Sequence, residues 1–156
     1  MEFEFNNGNE IYQRSRAVIG PISLSNISYS VSSEHVSNLY TAAGYLKQIY
    51  FTALETVPEL FLVDQFTIDN YIKYFLILEG VDYPIRPSNR SGESPTIYYF
   101  NSTKSDDAKE EMRVSGAEFV DVLTTSWRIK ATLTRPSIYS DATPVVSGFN
   151  FIYTYG

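Results

Sequence analysis

The chain contains no cysteine. That excludes disulfide frameworks, cysteine-based zinc sites, iron–sulfur clusters and thiol nucleophiles together. A reducing cell and a cysteine-free extracellular particle both fit, so the redox compartment stays open. Histidine is nearly as scarce. His35 is the only one, and it stands in Ser-Ser-Glu-His-Val with no nucleophile elbow beside it. One histidine and no cysteine give a transition metal little to bind. The glycine-rich phosphate and dinucleotide signatures and the H-E-x-x-H zinc signature are missing. No cofactor and no enzymatic activity are expected.

Positive charge is also in short supply. Twelve lysines and arginines face 18 acids, for a net charge of −6. The arginines are scattered, at 14, 16, 86, 90, 113, 128 and 135. That is not the basic footprint of a nucleic-acid binder. Long apolar runs are missing too. The longest, Tyr71 to Leu78, carries Lys73 and falls well below the roughly 18 residues of a span. Neither nucleic acid nor membrane is expected as a partner. The opening Met1-Glu-Phe-Glu-Phe5 has no basic segment ahead of an apolar one, so it reads as a strand and not as a signal peptide.

Aromatic residues, in contrast, are abundant. Thirteen Tyr, ten Phe and one Trp make 15% of the chain. Tyrosine packs on pleated surfaces and keeps a polar tip for water or a partner. With plentiful Ser, Thr and Asn, this composition points to an all-β fold and to contact surfaces, although most single rings belong to the core. A chain of 156 residues amounts to one domain, and a domain that size buries roughly 70% of its unfolded surface without staples.

The strand pattern is clearest in the second half. Trp127, Ile129, Ala131 and Leu133 share one face, and Arg128, Lys130, Thr132 and Thr134 the other, the pattern of a half-buried strand. Tyr71 to Leu78 is apolar on both faces and predicts a central strand. Further strands are expected at Glu2 to Phe5, Leu46 to Thr56, Leu60 to Thr67, Tyr83 to Arg86, Thr96 to Asn101, Arg113 to Leu123 and Val145 to Tyr155. A short helix is expected near 36–44, from the stripe Leu39, Ala42 and Ala43, with one longer helix through 57 as the alternative. Ser105 caps a helical turn over Asp106 to Glu111. The expected architecture is therefore an antiparallel β-sandwich, jelly-roll-like, with at most two short helices. A single domain spans 1–156. Residues 1–57 are open to including an extended N-terminal arm, because the serine-rich stretch from 22 to 38 is too polar for a core.

Chemistry-bearing clusters are few. Asp64 with Asp69, or Glu79 with Asp82, would serve a carboxylate-pair glycoside hydrolase if held at the right separation. Acids also gather at turns because Asp bonds its own backbone there, and that reading is preferred. Asp106, Asp107, Glu110 and Glu111 do not match an EF-hand loop and read as a solvated charge run. The N-x-[ST] triplets at Asn26, Asn89 and Asn101 are read as chance.

One segment carries a resemblance. Ser126-Trp-Arg-Ile-Lys-Ala-Thr-Leu-Thr-Arg-Pro136, a polar loop, and Thr143-Pro-Val-Val-Ser-Gly-Phe-Asn-Phe-Ile-Tyr153 resemble the strand–loop–strand ending of bacteriophage tail, fibre and baseplate modules of the galactose-binding-like jelly roll. The resemblance covers about residues 60–155. It implies a virion structural protein of the tail, baseplate, neck or capsid surface, assembled in the host cytoplasm and contacting other virion proteins and copies of itself. Some members of that family bind sugars, but no sugar-binding residues can be matched here. A glycan-binding adhesion module is the main alternative, because flat Tyr and Trp faces suit sugars. The candidate contact surface comprises Arg128, Lys130, Thr132, Tyr98, Tyr139 and Tyr155.

Overall fold

The computed structural model describes residues 2–6, 11–17, 22–23, 32–62, 67–135 and 143–156, and before residue 32 only the backbone pairing. Two sheets form an all-β sandwich. The larger contains β1 (Glu2–Asn6), β2 (Ile11–Ala17), β3 (Ile22–Ser23), β6 (Leu46–Thr56), β9 (Ile97–Phe100), β10 (Ala117–Val120) and β12 (Val145–Tyr155). Its order is β1-β2-β12-β6-β9-β10, with β3 also on β12. The smaller contains β4 (Ser32–Val36), β5 (Tyr40–Thr41), β7 (Ile72–Leu78), β8 (Val81–Ile85) and β11 (Ser126–Thr134). Its order is β4-β11-β7-β8, with β5 also on β11.

The alternation of β11 sets the smaller sheet's orientation. Trp127, Ile129, Ala131 and Leu133 are buried, while Arg128, Lys130 and Thr132 lie on the outward face. A one-residue slip would invert both faces, so the pattern specifies the register. Between the sheets the filling is largely aromatic. Trp127 meets Tyr153 edge to face at 4.9 Å and Phe151 at 5.7 Å, and Phe51 meets Tyr74 at 5.0 Å. Such pairs add about 0.5–1.5 kcal/mol each beyond their buried area.

The described strand pairs are antiparallel except β9–β10, which is parallel. Parallel neighbours need a long crossover, and residues 101–116 provide one that contains the helix α1 (Asp106–Arg113). Residues 36–44 form no helix. Their polar groups are laced to β11 instead: Ser37 N–H donates to the Ile129 carbonyl at 2.9 Å, and Ala42 N–H to the Thr125 carbonyl at 2.7 Å. Tyr40 and Ala42 are buried while Leu39, Thr41 and Ala43 are exposed, a period of two where a helix needs 3.6. Glu59–Phe61 is a 3-10 turn after Pro58, not the start of a strand; residues 63–66 of that expected strand lie outside the described residues. Arg113 ends α1, and the strand beyond it begins only at Ala117. The helix itself is capped as expected, with Ser105 Oγ accepting from Ala108 N–H at 3.2 Å.

Gly116 makes the turn from α1 into β10. Its φ is +96°, and a Cβ there would lie 1.7 Å from the Pro95 carbonyl oxygen. Gly80, in the β7–β8 turn, has φ +78° but open space around it. Gly80→Ala is expected to cost roughly 1–2 kcal/mol, the left-handed penalty alone. Gly116→Ala adds a backbone collision and is expected to cost more than about 3 kcal/mol. Urea unfolding of the two variants checks this, and equal losses would refute it.

Candidate interaction surface

The outward face of the smaller sheet is built by register. Residues directly paired across an antiparallel ladder share a face. Val36, Lys130, Phe75 and Pro84 therefore form one row across β4, β11, β7 and β8. Glu34, Thr132 and Lys73 form the next row, and Arg128, Ile77 and Asp82 flank the first on its other side. A water-facing antiparallel sheet ordinarily turns polar residues outward. Here Val36 is 55% exposed, Pro84 is exposed, and Phe75 and Ile77 are half-buried. The result is an apolar stripe rimmed by charges of both signs.

The charges are partly tied down. Lys130 forms an ion pair with Asp82 and lies over the Phe75 ring, 4.9 Å from its centroid. Its aliphatic stem thus covers part of the stripe. Arg128 Nη1 donates to the Ser37 carbonyl at 3.0 Å. Thr132 stands between Glu34 and Lys73.

The remaining candidates are dispersed. Tyr98 is a correction: it is only 4% exposed, faces Tyr83 inside the sandwich and donates its hydroxyl to the Pro84 carbonyl at 2.5 Å. Its neighbour Tyr99 points the other way and stacks on Phe119 at 5.4 Å. Tyr155 ends β12 half-buried, its ring 6.2 Å from Tyr153. Tyr139 lies outside the described residues.

A second polar cluster escaped the sequence reading. Arg90, on the loop after β8, pairs with Glu55 of β6 and with Asp69, and donates to the Ile72 carbonyl at 3.1 Å. Tyr74 donates to the same Glu55 carboxylate at 2.6 Å. Arg86 takes both oxygens of Asp69, at 3.0 and 3.2 Å, and also donates to the carbonyls of Arg90, Ser91 and Glu93. The cluster joins the two sheets at one end of the sandwich, beside a cleft of about 220 Å³. Asn89 locks the same loop to β6, accepting from Ala53 N–H at 3.1 Å and donating to the Ala53 carbonyl at 2.7 Å.

This arrangement occupies two of the acids singled out from the sequence. Asp69 is held by two guanidiniums, and Asp82 by Lys130. Asp64 lies outside the described residues. Burial pulls the Asp69 carboxyl upward, but hydrogen bonds and charge from Arg86 and Arg90 outweigh it and hold it below the ordinary range. His35 sits on β4 and shares a 3.0 Å hydrogen bond with Ser33. Two N-x-[ST] asparagines have structural tasks: Asn89 as above, and Asn101, at φ +51°, donating to the Val122 carbonyl at 2.8 Å. No helix among the described residues is long and apolar enough to cross a membrane.

No family model, no curated protein and no solved structure matches the chain.

Buried tyrosines give the fold an alkaline limit. Burial, then the Glu55 charge, pushes the Tyr74 phenol far up, and burial, then Glu118, does the same to Tyr98. A raised acid favours its protonated folded form, so above the unfolded value the unfolded chain binds fewer protons and stability falls with pH. Unfolding free energy is expected to show no tyrosine-linked loss below about pH 9 and to drop above about pH 10. Phenolate absorbance followed with urea unfolding checks this. Ionisation of all tyrosines while the chain stays folded would contradict it.

Proposed function

We propose that this chain is a non-enzymatic structural component of a bacteriophage particle, in the tail, baseplate, neck or capsid surface, working through contact with other virion proteins and copies of itself. The observation that carries the reading is the stripe Val36, Phe75, Ile77 and Pro84 on the outward face of the smaller sheet. An apolar strip rimmed by polar groups marks a surface meant for a partner, and its mixed charges suit a protein better than a phosphate backbone. The strands that resemble phage modules, β11 and β12, support the particle assignment. They lie in opposite sheets and meet through Trp127, Phe151 and Tyr153.

The test is mass spectrometry of gradient-purified virions from a phage encoding the chain. The protein is expected at a fixed stoichiometry to the major structural proteins. Its loss during purification, with the protein found free in the lysate, would overturn the assignment.

A further inference from the structure

The outward face of the smaller sheet is complementary to itself. With β11 taken as the midline, β4 lies on one side and β7, then the edge strand β8, on the other. One row reads Glu34, Thr132, Lys73, and the next Val36, Lys130, Phe75. An acid thus stands opposite a base across the midline, and an apolar residue opposite an apolar one. Strands lie about 4.8 Å apart, so the backbones at Glu34 and Lys73 sit roughly 9.6 Å apart across the sheet. Among the described residues neither takes part in an ion pair.

We propose that this face is the interface of a two-fold dimer, in which a second copy of the chain packs face to face with its dyad running along β11. Rotation about that line exchanges the β4 side with the β7 side. Glu34 of each copy then meets Lys73 of the other, and Val36 of each meets Phe75 of the other, as an isologous contact requires. Aligned sheets pack about 10 Å apart, within reach of these side chains. Residues of β11 meet their own counterparts, which would set cation against cation. Both cations are drawn aside within their own chain, however, Lys130 to Asp82 over the Phe75 ring and Arg128 to the Ser37 carbonyl. Neutral Thr132 is left on the axis.

The inference rests on reading this face as a contact surface, and it names the partner. The three strands that overlap across the dyad, β4, β11 and β7, give a face of roughly 14 by 17 Å. That is smaller than a standard specific interface, so the dimer is expected to be weak and to depend on concentration from the micromolar range upward.

Sedimentation velocity on the full chain tests it. Glu34→Lys alone and Lys73→Glu alone each set like charges against each other on both sides of the axis. Each is expected to weaken dimerisation at least about tenfold. Mixed in equal amounts, the two variants are expected to associate again as a heterodimer, because the lysine introduced at 34 then faces the glutamate introduced at 73, and native Lys73 faces native Glu34. Circular dichroism confirms that both variants fold. As a second readout, Thr132→Cys places the only thiol of the chain on the axis, and a short bis-maleimide that spans the roughly 10 Å between the sheets is expected to yield a covalent dimer. A wild-type chain that stays monomeric at high concentration overturns the proposal. So do variants that dimerise as wild type does, or a mixture that does not associate. None of these results touches the particle assignment, which is decided by the virion measurement.

Discussion

Arg90→Ala is expected to cost about 3–5 kcal/mol, among the largest losses any single substitution would cause. The Arg90 side chain is 4% exposed and its partner Glu55 7%. Taking the guanidinium away leaves a carboxylate in a dry site, facing the Tyr74 hydroxyl. A hydroxyl can donate one hydrogen bond, but it carries no charge to offset the acid. Arg90→Lys is expected to recover only part of the loss. One ammonium cannot reproduce the fork that reaches both Glu55 oxygens, Asp69 and the Ile72 carbonyl. Removing both charges, as Arg90→Met with Glu55→Leu, is expected to be milder than Arg90→Ala, since no uncompensated ion remains. For a domain of this size the single loss corresponds to a melting shift of roughly 6–20 °C. Thermal and urea unfolding of the three variants measures it. If Arg90→Ala stays within about 1 kcal/mol of wild type, Glu55 is not buried as a charge.

That cluster also shows why part of the molecule was hidden in the sequence. Period-two alternation is local, so β11, the doubly apolar β7 and β12 could be read from a few adjacent residues. The Ser105 cap is local as well. The ion-pair cluster draws on positions 55, 69, 74, 86 and 90, which only the closed fold brings together. Its traces were Asp69, already singled out as an acid at a turn, and Glu55, the only acid of β6. Tyr98 failed for a different reason. Alternation separates Tyr98 and Phe100 from Ile97 and Tyr99 but does not say which pair faces inward. The parallel β9–β10 pairing follows from a crossover through α1, and strand propensity carries no sign of direction. The outward face of the smaller sheet lay in between. Arg128, Lys130 and Thr132 were legible as an outward row, but their apolar neighbours Val36, Phe75 and Pro84 come from three other strands, and only the register assembles them.

Trp127→Ala is expected to cost about 3–5 kcal/mol, the range for removing a large ring from a closed core. Trp127 is 1% exposed and touches Tyr40, Phe151 and Tyr153, so its loss opens a cavity between the sheets at the point where β11 faces β12. Rings held on both sides by strand backbones collapse poorly into such a space. Trp127→Phe separates two contributions. Among the described residues no acceptor meets the indole N–H, and a buried donor without a partner costs roughly 1–3 kcal/mol. Phenylalanine removes that donor while keeping most of the apolar contact. The volume lost and the penalty relieved therefore oppose each other, and the net cost is expected to stay below about 1.5 kcal/mol. Since Trp127 is the only tryptophan, its fluorescence reports the wild-type core directly, while both variants must be followed by far-UV circular dichroism in urea. Equal destabilisation by Ala and Phe would mean that the indole nitrogen makes a contact the core depends on.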